Sequence, residues 1–133
     1  MIKEEKELIT FCVMHLDTAI QKSRIEEEIW IYRGVLDISW LNNSQIGGIF
    51  TEKAFGSFSI DISHAYQYTN LEKPIIFQIK LNSEMRALYI DKAENEILRP
   101  REITYRIVDK RIEKVKGINN EIEIFIIEEV WSD

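Results

Sequence analysis

Cysteine and histidine are scarce in this sequence of 133 residues, which has one cysteine, Cys12, and two histidines. A single thiol cannot close a disulfide bond within the chain. One thiol and two imidazoles are also too few for the closed ligand sets of structural zinc sites. We therefore predict neither a disulfide nor a metal site. Cys12 falls on the apolar side of a predicted helix, where we expect a buried structural thiol.

Long apolar runs are absent as well. No hydrophobic segment reaches the ~18–20 residues that a membrane helix needs. The opening MIKEEKELIT is too acidic for a signal peptide. We expect no membrane association and a cytoplasmic location for the chain as given. The same features would fit one domain of a longer protein that is secreted or delivered into another cell.

Positive charge is in deficit. The chain has 17 lysines and arginines against 23 acids, a formal net charge of −6. Proteins that bind nucleic acid without sequence preference neutralise phosphates and so carry the opposite sign. Acids interrupt the basic cluster at residues 109–117, as is typical of a solvated hairpin. We predict no nucleic-acid partner.

Apolar residues make up 45% of the chain, enough for a core, and the length suits one domain over residues 1–133. Residues 4–22 repeat apolar side chains at steps of three and four, which predicts one long helix. A short helical turn is expected to begin near His64, with Asp61 or Ser63 as its N-cap.

Strand-like composition dominates the rest of the chain, apart from a mixed region at 35–54. EIEIFIIEEV alternates apolar and polar residues and should form a hairpin with RIEKV across KGINN. Pro100 requires a sheet edge or a break. Because the helices are not interleaved between strands, we predict an α+β fold with a mostly antiparallel sheet. The predicted strands are 29–34, 55–59, 73–81, 87–90, 95–109, 111–115 and 121–130.

Arg33 is a charged residue on an otherwise apolar strand. Alternation places it on the same face as Ile29 and Ile31. If that face is inward, the guanidinium needs an anion, either a carboxylate of the protein or a phosphate of a ligand. The other interpretation is a charge at a strand end that reaches water.

Two further pairs of polar residues have a spacing of two. Ser57 and Ser59 share one face of a predicted strand, where hydroxyls can orient a carboxylate or bind a sugar, or can cap the helix that follows. Glu94 and Glu96 enter the apolar strand ILRP from one side. Neighbouring carboxylates repel, which raises a pKa unless a cation or substrate intervenes.

The order of these features resembles the mono-ADP-ribosyltransferases of the arginine–serine–glutamate class, which include bacterial exotoxins. LDTAIQKSRIEEEIWIYRGV is similar to the family's helix, linker and arginine strand, and GGIFTEKAFGSFSIDISHAYQY to its serine strand and following helix. IIFQIKLNSEMRALYI and AENEILRPREITYRI are similar to the segments before and at its E-x-E motif. Phe58 departs from the family's usual Ser-Thr-Ser, and only about one helix precedes the arginine strand.

The resemblance implies a mostly antiparallel ADP-ribosyltransferase-like β core with one N-terminal helix and a short helix after the serine strand. It also implies NAD as the substrate, with Glu96 as the central catalytic residue and Ser57 holding Glu96 and the ribose in register. Arg33 would bind the phosphates of the cofactor. Gly34, the last residue of the family's Tyr-Arg-Gly, and Ser59 complete the implied cofactor-binding set.

Glu94 would receive the acceptor, since E-x-E in this family accompanies transfer to arginine. The partners implied are NAD and an unidentified target protein, and a second copy of the chain is one way to complete the cleft. Two other functions remain open: an NAD glycohydrolase, in which water replaces the acceptor, and a catalytically inactive module that binds another protein.

Overall fold

The elements of the protein were located in a computed structural model, which describes residues 3–22, 28–36, 46–82, 84–91, 95–115, 117 and 120–131. Most of the regular structure within these ranges is strand. In chain order the elements are α1 (Lys3–Lys22), β1 (Ile29–Val35), β2 (Ile49–Glu52), β3 (Gly56–Ser59), α2 (Ile62–Tyr66), β4 (Ile75–Leu81), β5 (Leu88–Asp91), β6 (Glu96–Arg99), β7 (Ile103–Glu113) and β8 (Ile122–Glu129).

The described strands form one sheet in the order β2-β7-β8-β4-β1-β3-β6-β5. Every neighbouring pair among them is antiparallel except β4 and β8, which run parallel. This topology confirms the predicted α+β class with a mostly antiparallel sheet, one N-terminal helix and a short helix after the serine strand. Neither described helix is long and apolar enough to cross a membrane.

The predicted strands 29–34, 55–59, 73–81, 87–90 and 121–130 correspond to described ones with small shifts at their ends. The predicted strand 95–109 is divided between β6 and β7, and the predicted strand 111–115 is continuous with β7. Pro100 acts as the expected break, because it separates β6 from β7. The hairpin is also present, with Glu113 of β7 paired with Ile122 of β8. β2 was not predicted, since it has only four residues and lies within the region 35–54 that showed no clear pattern. Among the described strands it lies at the edge of the sheet and pairs only with β7.

The main core lies on one face of the sheet and is built from alternate residues of its strands. On β4, Phe77 and Ile79 point to this core, while Ile76 points to the opposite face, where α2 packs. A central strand covered on both sides explains why Ile75–Ile79 is buried throughout. The main core also contains Ile31, Phe50, Phe58, Ile97, Tyr105, Ile107, Phe125 and Ile127.

The expected burial of Cys12 is wrong, because its side chain is exposed. Cys12, Leu16 and Ile20 lie one helical turn apart on α1. Burial increases along this line from Cys12 to the half-buried Leu16 and the fully buried Ile20. The C-terminal end of α1 therefore packs against the rest of the protein. The apolar periodicity predicts the apolar face of the helix but not how far along the helix that face is covered.

A buried ion pair interrupts the apolar pattern of β6. Arg99 has no exposed side-chain surface, and its Nη2 lies 3.0 Å from Oε1 of Glu129 at the end of β8. Nη1 of Arg99 also donates to the carbonyl oxygen of Arg86. Tyr105 of β7 lies next to the pair. Besides the effect of burial, the charge of Arg99 lowers the pKa of its hydroxyl and the charge of Glu129 raises it.

Tyr105 predicts a loss of stability in alkali. Burial raises the pKa of its hydroxyl above the ordinary value near 10, partly opposed by the charge of Arg99. Because the folded state holds the proton more tightly than the unfolded chain, stability is fully present below about pH 10 and falls as the pH rises through the folded pKa. We expect Tyr105→Phe to flatten that fall, measured by urea unfolding between about pH 9 and 11. Identical pH slopes for the two proteins would contradict this; the exposed Tyr68→Phe is the control.

Candidate active site

Three neighbouring strands bring together the predicted site residues that the structure describes. β3 lies between β1 and β6, with Ser59 opposite Tyr32 on one side and opposite Glu96 on the other. Arg33, Ser57, Ser59 and Glu96 consequently line one cavity of about 300 Å³. The other described residues that line it are Tyr32, Gly34, Phe58, His64, Ala65 and Tyr68.

Ser57 is hydrogen-bonded to Glu96. Its Oγ donates to Oε1 of Glu96 at 2.9 Å, across the diagonal between β3 and β6. Ser57 is exposed and Glu96 half-buried, so the carboxylate is oriented by the protein but open to the cavity. With one oxygen engaged by Ser57, the other can accept a hydrogen bond from a ligand.

Ser59 and Asn95 shape the backbone around this pair. Ser59 is buried, and its Oγ accepts the backbone N–H of Asp61 at 3.0 Å. Asp61 in turn caps α2 through the N–H of Ser63, as the sequence suggested. Asn95 adopts φ 58°, a left-handed conformation that Asn tolerates, and its carbonyl accepts the N–H of Ile60. Ser59 thus supports the strand-to-helix corner and lines the cavity.

Phe58 leaves the serine positions intact. Its side chain is buried in the main core, paired across the sheet with Ile97, while Ser57 lies on the exposed side. Because side chains alternate along a strand, Phe58, which departs from the Ser-Thr-Ser pattern, lies on the opposite face from the Ser57 hydroxyl that contacts Glu96.

Gly34 allows α2 to lie directly against β1. A Cβ atom at this position would be 2.1 Å from the carbonyl oxygen of Ala65, closer than any real contact. Any side chain larger than hydrogen would push α2 away from the strand and change the wall of the cavity. Gly34 therefore acts on the site through packing.

Arg33 has a carboxylate partner. Its Nη1 lies 3.1 Å from Oε2 of Glu52, and its Nη2 donates to Oε1 of the same residue at 3.3 Å. Of the anions that the sequence left open, the structure supplies a carboxylate of the protein. Glu52 was missed because it lies on the unpredicted strand β2, and the signal available was only an acid within a short apolar segment.

The family model of the ADP-ribosyltransferase exoenzymes matches residues 2–131. The chain belongs to the ADP-ribosyltransferase exoenzyme family. Since ADP-ribosyltransferases use NAD as the donor of ADP-ribose, the predicted family and its NAD substrate are confirmed at this level. No curated protein sequence matches the chain significantly.

Solved structures of bacterial toxins share the fold. C3larvin, an ADP-ribosyltransferase from Paenibacillus larvae, superposes with a TM-score of 0.68 at 24% identity, covering 93% of this chain and 78% of that one. C3stau2 from S. aureus, in a structure with NAD, gives 0.66 at 19% identity, covering 93% and 73%. The Vis toxin of Vibrio splendidus, in complex with agmatine, gives 0.66 at 22% identity, covering 90% and 57%.

Aromatic residues form the outer wall of the cavity in this family member. His64 and Tyr68 lie one helical turn apart, with ring centroids 5.5 Å apart in an edge-on arrangement. Tyr68 is 61% exposed, and Tyr32 lines the cavity from β1. The sequence analysis missed Tyr32 and His64 as lining residues; for His64, its i, i+4 spacing from Tyr68 was the available signal.

The remaining predicted residue, Glu94, lies outside the described residues. Its neighbour in the motif, Glu96, begins β6. The acceptor role expected for Glu94 therefore stays a prediction.

Proposed function

We propose that this domain is an NAD-dependent mono-ADP-ribosyltransferase that transfers ADP-ribose to a protein arginine and releases nicotinamide. The observation that carries the proposal is the hydrogen bond of 2.9 Å from Ser57 to Glu96, in a cavity that Arg33 also lines. An oriented carboxylate, a hydroxyl and a guanidinium suit a dinucleotide whose ribose is the reacting group.

The space around Arg33 also suits a dinucleotide. The site cavity of about 300 Å³ and a second cavity of about 470 Å³ share Arg33, Gly34 and Tyr68 as lining residues. Ligand sites are typically ~300–1,000 Å³ in volume. Because Arg33 lines both cavities, we assign it to the phosphates that join the two nucleosides, with the nicotinamide riboside next to Glu96.

Glu96 supplies the electrostatic stabilisation. As the bond between nicotinamide and ribose breaks, the ribose acquires oxocarbenium character, as in glycoside cleavage. The carboxylate of Glu96 accepts a hydrogen bond from the ribose hydroxyl beside the reacting carbon and stabilises the developing positive charge. This interaction is stronger in the transition state than in the ground state, so it raises the rate. Ser57 keeps the carboxylate in register.

Glu94 is the residue we assign to the acceptor. A guanidinium pairs with a carboxylate, which can also take the proton that the nitrogen loses when it bonds to the ribose carbon. The Vis structure holds agmatine, which carries the guanidinium group of arginine. That acceptor chemistry, together with the E-x-E order of Glu94 and Glu96, supports arginine as the modified residue.

The proposal is tested by incubating the protein with NAD labelled in its ADP-ribose part, with agmatine or a cell lysate as acceptor. We expect nicotinamide release together with a labelled guanidinium adduct. Fast release with little labelling would instead identify a glycohydrolase. No detectable NAD binding by calorimetry would identify an inactive interaction module.

Glu94→Gln should separate transfer from cleavage. Without the carboxylate, the guanidinium loses its partner and its base, so we expect labelling of agmatine to fall by about 10²-fold or more. Nicotinamide release to water should persist, because Glu96 is unchanged. The measurement is the ratio of adduct to nicotinamide in one reaction, with the exposed Glu84→Gln as the matched control. An unchanged ratio would remove Glu94 from the acceptor site.

A further inference from the structure

We propose that Glu52 is a positioning residue that orients the guanidinium of Arg33 for the phosphates of the dinucleotide. The inference rests on the proposed function, in which Arg33 binds those phosphates. Glu52 lines the second cavity and contacts Arg33 from there, so it acts on the site without belonging to the cavity of Ser57 and Glu96.

The geometry of the pair leaves Arg33 able to bind a second anion. Glu52 meets the guanidinium end-on, with one carboxylate oxygen near each terminal nitrogen, at 3.1 and 3.3 Å. A guanidinium has a fixed fork of five N–H donors. End-on pairing uses one N–H of each terminal nitrogen. The N–H of Nε and the second N–H of the terminal nitrogen beside it stay available to another anion. That remaining edge matches two phosphate oxygens.

The scaffold holds Glu52 in place. Its strand β2 pairs with β7, with Glu52 opposite Ile103, and the hydroxyls of Thr51 and Thr104 are 2.9 Å apart beside it. The side chains of Arg33 and Glu52 are only 27% and 18% exposed. A pair that is mostly shielded from solvent is less screened by salt than a surface pair, so its geometry is held more firmly.

Two opposing effects follow from the carboxylate. It orders a side chain with many rotamers before the ligand arrives, which removes part of the ordering cost from binding. It also reduces the positive charge that the phosphates meet. We expect orientation to be the larger effect, because Arg33 lines both cavities and a guanidinium without its partner has more rotamers to lose when a ligand binds.

The variants Glu52→Ala and Glu52→Gln distinguish these effects. Glu52→Ala removes both contacts, and we expect KM for NAD to rise about tenfold, with kcat for nicotinamide release within about twofold. Glu52→Gln keeps one oxygen as an acceptor from Arg33, so its KM should lie between those of the wild type and Glu52→Ala. A KM that falls in both variants would show that neutralisation dominates and would overturn the inference.

A double-mutant cycle shows whether Glu52 acts through Arg33. In the Arg33→Ala background, Glu52→Ala should change KM by less than about twofold. A merely structural role would give the same tenfold effect in both backgrounds, and would lower the melting temperature without this coupling. Glu128→Ala is the matched control, because it removes a glutamate from the ion pair with Arg106 outside both cavities.

Binding of ADP, measured by calorimetry, keeps the test independent of turnover, because ADP carries the same linked phosphates. Weaker ADP binding in Glu52→Ala supports the positioning role even if the wild type releases no nicotinamide, a result that would overturn the proposed function alone. Equal ADP affinity and equal KM in the wild type and Glu52→Ala would overturn the inference and leave the proposed function standing.

Discussion

Replacing Glu96 by glutamine is expected to lower kcat for nicotinamide release from NAD by about 10²–10³-fold or more, the scale of removing one group that stabilises developing charge. Glutamine has nearly the same shape and keeps an oxygen that accepts from Ser57, whose Oγ lies 2.9 Å from Oε1 of Glu96. What it lacks is the negative charge opposite the oxocarbenium-like ribose. The loss should therefore fall on the transition state, and binding of NAD should change little.

The measurement is steady-state release of nicotinamide, with NAD binding followed separately by calorimetry. Glu121→Gln, an exposed glutamate just before β8, is the matched control and should behave as the wild type. A thermal melt within a few degrees of the wild type would show that the fold is retained. Transfer at the normal rate by Glu96→Gln would remove this residue from its assigned role.

Replacing Glu129 by alanine is expected to destabilise the protein by about 3–5 kcal/mol, because it leaves the guanidinium of Arg99 buried without its carboxylate. Arg99 has no exposed side-chain surface and Glu129 is 7% exposed. Since a domain is typically stable by only about 5–15 kcal/mol, such a loss would shift the urea midpoint strongly. Unfolding curves of the variant and the wild type provide the measurement.

The double variant Arg99→Leu with Glu129→Leu tests whether the ion pair itself stabilises the fold, or whether each charge only requires the other because both are buried. Among the described residues, Nε of Arg99, Oε2 of Glu129 and the hydroxyl of Tyr105 are buried without hydrogen bonds. Because this polar cluster is incompletely satisfied, an apolar pair should recover most of the lost stability. Glu128→Ala, which breaks a surface ion pair of 3.2 Å, should cost at most about 1 kcal/mol. A Glu129→Ala variant as stable as the wild type would contradict the prediction.

The elements with a strong local pattern could be predicted from the sequence. The long periodic helix and the alternating strand at the C-terminus were located, and the N-cap of α2 was narrowed to Asp61 or Ser63, because each depends on neighbours along the chain. β2 could not be predicted, since four residues on a sheet edge carry too little periodicity. The burial of Cys12 was predicted wrongly because periodicity indicates an apolar face but not how far that face is covered.

The candidate site divides in the same way. Residue type and spacing drew attention to Ser57 and Glu96, and the resemblance of their order to the ADP-ribosyltransferase family implied their roles. Their hydrogen bond could not, because it depends on the register of β3 against β6, which pairs Ser59 with Glu96. The contact between Glu52 and Arg33 was even harder to predict, because Glu52 lies on an edge strand that is not a neighbour of β1 in the sheet.

By itself, the sequence determined the class of the fold, the exclusion of a disulfide within the chain and the chemical groups available for a site. Only the tertiary structure decided that β3 lies between β1 and β6, that Arg33 pairs with Glu52, and that Arg99 is buried against Glu129. The physical reason is that local periodicity follows from backbone geometry over a few residues, whereas strand order and register follow from packing between residues far apart in the chain.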